Sequence, residues 1–283
     1  MAPSISTVVI AGGLRLSYAE QGDSDLAVLL LPGPTDSWRS YRPVLDRMPQ
    51  SIRTLALSQR GHGDSDRPAS GYRVEDFARD VIAVLDALDI PRAILAGHSG
   101  SCLVARRVAI DHPARVAGLV LEASPVALAR DPALRRFVGT VVAGLEDPID
   151  PVFARSFVGD TSSAGVAAAM VDELVPELLK VPARVWREVF VGLLEYDDRD
   201  ELARIAAPAL LIWGDADEVV GRAMQEELVG RLVNATLLVY PGIGHTPRWE
   251  EPSRFASDVA AFVDRVRADA GPARERGSPR DDR

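Results

Sequence analysis

The sequence has a single cysteine, Cys102, and a single lysine, Lys180. One cysteine permits no internal disulfide, so the fold must rest on its apolar core, as expected of a cytoplasmic protein. Only four histidines occur in 283 residues, and no His/Cys/Asp cluster has ligand spacing, so no metal or other cofactor is expected. Basic residues are outnumbered, 32 Lys and Arg against 41 Asp and Glu, and the net charge of −9 argues against a nucleic-acid partner. No apolar run approaches the roughly 20 residues of a membrane span. The start, MAPSISTVVIAGG, lacks the basic and then apolar pattern of a signal peptide.

What is present is a rhythm. Short apolar runs at 26–31, 52–57, 93–96, 116–121, 209–213 and 236–240 read as strands. Residues 6–10 and 14–19 read as two more, joined at Gly12-Gly13. Between them lie helical patterns at 40–47, 74–88, 99–110 and 222–232, with a last one at 252–267. Alternation of this kind predicts an α/β fold: a mostly parallel central sheet covered by helices on both faces. Residues 125–207 interrupt it with several Pro-punctuated helices and no convincing buried strand, and are expected to be an inserted helical lid. The core domain is then 1–124 with 208–268, and the polar, Gly/Pro-rich 269–283 is expected to be a disordered tail.

In a parallel sheet, ligand groups gather beyond the carboxyl ends of strands. There stand Pro32-Gly33-Pro34-Thr35, Gly97-His98-Ser99-Gly100-Ser101, Gly214-Asp215-Ala216-Asp217 and Gly242-Ile243-Gly244-His245. A serine, an acid and a histidine fall in that order, each just past a strand. The serine hydroxyl is a weak nucleophile until a histidine takes its proton, and a carboxylate fixes the tautomer of that histidine. On the residues alone, Ser99 also reads as a helix cap. Asp215 and Glu122 compete with Asp217 as the acid, and His62, His98 and His112 with His245 as the base. Cys102 reads as a small buried filler, and Trp38, Trp186 and Trp249 as packing residues of core or lid.

The stretches LLLPGPTDSW, SQRGHGDSD, GHSGS, LLIWGDADEVV and YPGIGHTPRWEEP resemble the α/β-hydrolase superfamily, over residues 6–266. The resemblance implies a strained nucleophile elbow at Gly97–Ser101, with Ser101 where the family has glycine. It implies Ser99 as nucleophile, Asp217 as acid and His245 as base, acting on a small apolar carboxylic ester or lactone. One backbone donor for the oxyanion is expected from Gly100. The family's second donor comes from the residue after the glycine at position 33. Here it is Pro34, which has no N–H, so the donor must come from elsewhere, with Thr35 the first candidate. The same Pro34 favours a second expectation, a non-hydrolytic binding or cyclase-type module on this fold.

Overall fold

The computed structural model describes residues 2–129, 131–161 and 166–269. In chain order come β1 (Ser4–Val9), β2 (Arg15–Gln21), β3 (Ala27–Leu31), a 3-10 turn at Trp38–Tyr41, α1 (Arg42–Leu45) and β4 (Thr54–Leu57). Then follow α2 (Val74–Ala87), β5 (Ala93–His98), α3 (Ser101–Asp111) and β6 (Val116–Glu122). Four helices come next: α4 (Pro132–Thr140), α5 (Pro151–Asp160), α6 (Ala168–Leu178) and α7 (Ala183–Glu195). The chain returns to the sheet with β7 (Ala209–Gly214), α8 (Arg222–Arg231), β8 (Ala235–Tyr240), α9 (Pro247–Glu250) and α10 (Pro252–Asp269). Every expected strand is present to within about two residues, the usual uncertainty of an element's end. The helix expected at 40–47 splits into the 3-10 turn and α1. Asp269, expected in the tail, closes α10, and residues 270–283 lie outside the described residues.

The eight strands form one sheet in the order β1-β2-β4-β3-β5-β6-β7-β8. Only β2 runs against the rest, antiparallel to β1 and to β4. All five residues of β3 are buried, and they alternate between two cores. Ala27, Leu29 and Leu31 face α2, α3 and the four helices after β6, whereas Val28 and Leu30 face α1 and α10. A continuous apolar run is the expected signature of a strand covered on both sides. The order reverses at β3, which has β4 on one side and β5 on the other. Chain direction diverges there, and a crevice opens beyond the carboxyl ends of β3 and β5.

The segment between β6 and β7 adds no strand among the described residues, and its two ends are pinned to α3 by one side chain. Arg106, fully buried, donates to the carbonyls of Pro125 (2.9 Å) and Val126 (3.0 Å) at the start of the segment. It also grips Asp198 at the far end through two bonds of 3.1 and 2.8 Å. Among the described residues no helix is long and apolar enough to cross a membrane.

A buried pair of this kind is costly to break, because the surviving charge has no solvent. Arg106→Met is therefore expected to lower the unfolding free energy by about 3–5 kcal/mol, measured in urea. Arg106→Met combined with Asp198→Leu should recover most of that loss. A single variant as stable as the parent would mean that the pair does not hold the segment.

Candidate active site

Ser99 sits in the turn between β5 and α3 with φ of +52°, a conformation non-glycine residues seldom adopt. Its surroundings force it. The Ser99 N–H donates to the Glu122 carbonyl (2.9 Å), and the Ser99 carbonyl accepts from the Cys102 N–H (3.0 Å). A Cβ on Gly97 would lie 2.7 Å from the Ser101 carbonyl oxygen, so only glycine lets the helix fold back this tightly. Ser101, in place of the expected glycine, donates its hydroxyl to the Pro32 carbonyl (2.5 Å) and accepts from Gln59 (2.9 Å). It thereby ties the turn to the loop after β3. The helix starts at Ser101 rather than Ser99, since a left-handed residue cannot begin it. Cys102 is buried as expected, and burial pushes its thiol up to about 12.

The structure brings Ser99, His245 and Asp217 into one line. His245 Nε2 lies 3.0 Å from Ser99 Oγ, and Nδ1 lies 2.8 Å from Asp217 Oδ2. A carboxylate oxygen only accepts, so Nδ1 carries the proton and Nε2 presents its lone pair to the serine hydroxyl. The second carboxylate oxygen of Asp217 accepts from the Val219 and Val220 N–H groups at 2.8 and 2.9 Å, which fixes the carboxylate plane. Gly214 permits the approach of the two loops. A Cβ there would lie 2.1 Å from the Ile243 carbonyl oxygen.

The competing residues lie apart from this line. Asp215 is exposed and accepts from the Gly242 N–H (2.6 Å). Glu122 is fully buried and accepts from the Arg248 N–H (2.9 Å), with Tyr41 on its other oxygen (3.2 Å). His112 is exposed at the end of α3. His62 is buried in the Gly-rich loop and donates from Nδ1 to the Arg60 carbonyl (2.7 Å). His98 donates from Nε2 to the His245 main-chain carbonyl (3.0 Å). Burial, with Arg248 and His245 nearby, holds the His98 pKa well below the usual histidine range, so its ring is neutral.

Three supports went unassigned in the sequence. His98 holds the backbone of His245. Glu250 accepts from the Gly244 N–H (3.1 Å) just before it. Arg248 is fully buried and links Asp36 (2.8 Å) to Glu122 (3.4 Å) from beneath the same loop. Two of the three, Arg248 and Glu250, stand inside YPGIGHTPRWEEP, but nothing local distinguishes them from surface charges.

Above Ser99 opens a cavity of about 630 Å³. Gly33, Pro34 and Gly100 line its floor, and Phe137, Phe153, Phe157 and Phe190 its wall. Pro34 packs so closely that a Cβ on Gly100 would lie 2.9 Å from its ring. Thr35, the first candidate for a second oxyanion donor, does not line the cavity; it is buried with φ of +74°, and its hydroxyl has no partner among the described residues. Trp249, expected only to pack, also lines the cavity while its Nε1 donates to the Ser40 carbonyl (2.8 Å). Among the described residues no three His, Cys, Asp or Glu side chains gather as a metal site would require.

A doubly covered, mostly parallel sheet with its polar groups gathered at the strand ends is the architecture of an α/β-fold hydrolase. The chain belongs to the alpha/beta hydrolase family, whose model matches residues 28–259. It is 30% identical over 280 residues to a non-heme chloroperoxidase of Streptomyces lividans, covering 92% of this chain and 99% of that one. It is 26% identical over 264 residues to 3-oxoadipate enol-lactonase 2 of Acinetobacter baylyi, covering 90% and 95%. Among solved structures, a hydrolase from Pseudomonas aeruginosa PA01 superposes with a TM-score of 0.81 at 25% identity, covering 92% of this chain and 98% of that one.

Burial lowers the His62 pKa from 6.5 to about 4. The unfolded chain therefore takes up this proton first as the pH falls. The His62 contribution is whole above about pH 6.5 and is lost on the way down to about 4, some 3 kcal/mol in all. Asp36 runs the opposite way, because burial raises its pKa from 3.8 to about 6 against the pull of Arg248. Urea unfolding of the parent and His62→Gln across that range should show the parent's advantage shrinking as the pH falls. A constant difference would mean that His62 does not stay neutral in the fold.

Proposed function

We propose that this chain is a serine hydrolase that cleaves a carboxylic ester or lactone through an acyl-enzyme intermediate. One observation carries the reading: the unbroken hydrogen-bonded line Asp217–His245–Ser99 beneath a largely apolar cavity. The similarity to a protein named an enol-lactonase supports the substrate class. Residues 125–207 act as the lid, residues 1–124 and 208–268 as the core, and the single buried cysteine suits work in the cytoplasm.

Ser99 Oγ attacks the substrate carbonyl carbon while His245 Nε2 takes its proton. Asp217 holds the Nδ1 proton and stabilises the imidazolium. The tetrahedral oxyanion lies against the Gly100 N–H. Its collapse breaks the bond to the leaving oxygen, which takes the proton from His245. Water then attacks the acyl group by the same route in reverse, with His245 as base, and frees Ser99. Pro34 gives no N–H, and loss of one oxyanion donor typically costs about 10²–10³ in rate. The enzyme is therefore slow on simple activated esters.

The test is a series of nitrophenyl esters and lactones of graded size. Ser99→Ala should lower kcat by about a thousandfold or more, with thermal unfolding unchanged. Asp217→Asn should cost on the order of 10⁴, whereas Asp215→Asn, facing outward, should behave as the parent. Pro34→Leu restores an N–H and should raise kcat. Hydrolysis undiminished in folded Ser99→Ala would overturn the reading.

A further inference from the structure

The cavity above Ser99 has an unusual polar inventory. Its charged lining groups among the described residues are all acids: Asp36 at the floor, with Asp131, Asp160 and Glu218 further out. Among the described residues no arginine or lysine lines it. Arg248 lies directly behind Asp36, but it is fully buried and its charge is taken up by Asp36 and Glu122. The side-chain donors of the lining are already committed. The Ser156 hydroxyl donates to Asp160 (2.9 Å), the Thr161 hydroxyl to the Val158 carbonyl (3.0 Å) and the Trp249 indole to Ser40.

The remaining polar groups of the lining belong to the reacting centre: the Gly100 N–H, which the oxyanion uses, and His245 Nε2, which presents a lone pair toward Ser99. Between floor and mouth stand the four phenyl rings, with neighbouring centroids 5.6 to 6.1 Å apart, a surface that suits another ring or a branched chain.

A carboxylate on the acyl chain meets acids and phenyl rings here and finds no cationic side chain among the described residues to replace its hydration shell, which is a penalty. An uncharged group of similar shape loses nothing. We infer that the cavity selects substrates whose acyl portion is uncharged and bulky, of the arylalkyl kind, and rejects those carrying a carboxylate on that portion. Asp160 and Glu218 are its specificity-determining residues, with Phe137, Phe153, Phe157 and Phe190 forming the apolar seat. This rests on the reading of the cavity as the substrate site, but its test needs no turnover.

The experiment measures binding to the full chain carrying Ser99→Ala, read by tryptophan fluorescence because Trp249 lines the cavity. The probes are p-methylbenzylacetone, a neutral ketone, and p-carboxybenzylacetone, the same ketone with a carboxylate in place of the ring methyl group, at about pH 8, where the acid is fully ionised. The neutral ketone is expected to bind about tenfold or more tightly than the carboxylate. Adding Asp160→Asn and Glu218→Gln, both exposed positions, should narrow the gap by strengthening the carboxylate probe alone. Equal or tighter binding of the carboxylate probe would overturn the inference, as would a gap unaffected by the two neutralising changes or no saturable binding of the neutral ketone. Failure of ester turnover with this preference intact would count against the hydrolase reading only.

Discussion

A serine held at φ of +52° is the constraint on which the site depends. Such a residue costs on the order of 1–3 kcal/mol and persists only where its surroundings over-determine it. Here the Glu122 carbonyl, the Cys102 N–H, the missing Cβ of Gly97 and the Ser101–Pro32 bond all act on one turn. Their joint effect is to lift Ser99 Oγ out of the sheet toward His245. Relaxing the turn would carry the hydroxyl away from the imidazole without disturbing either core.

The histidine needs equal care, because it stands on a loop rather than on a strand. Its position is set by buried polar contacts that come from distant parts of the chain. His98 takes its carbonyl, Glu250 the N–H before it, and Arg248, three residues on, is locked between Asp36 and Glu122. A buried arginine between two buried carboxylates contributes little net stability, since desolvation offsets attraction. What it provides is direction: the loop has one arrangement in which all three charges are paired. Arg106 does the same for the segment between β6 and β7, whose helices bring the phenyl rings over Ser99.

Much of this was legible in the sequence, and the reason is local. Buried parallel strands write themselves as unbroken apolar runs, and the strand ends place Ser99, Asp217 and His245 without knowledge of strand order. The split at Trp38–Tyr41 was not legible. There the Ser37 hydroxyl caps the Arg39 N–H and tightens the turn to 3-10 geometry, a detail finer than hydrophobic spacing. Arg106 with Asp198, and Arg248 with Glu122, were hidden for a different reason. Their partners lie 92 and 126 residues away, and a buried arginine reads in the sequence like an exposed one. The role of His98 was concealed in the same way, since its bond is to the main chain of His245 across 147 residues. Thr35, expected to donate to the oxyanion, is buried with φ of +74° and is not among the residues lining the cavity, features that hydrophobic spacing does not reveal.

The central claim is that the line from Asp217 through His245 makes Ser99 an activated nucleophile. Mass spectrometry of the intact chain after reaction with a fluorophosphonate tests it most directly. The account predicts one adduct per chain, mapped to the peptide bearing Ser99, absent in Ser99→Ala and formed far more slowly in His245→Gln. An unlabelled parent, or an adduct on another residue, would contradict it.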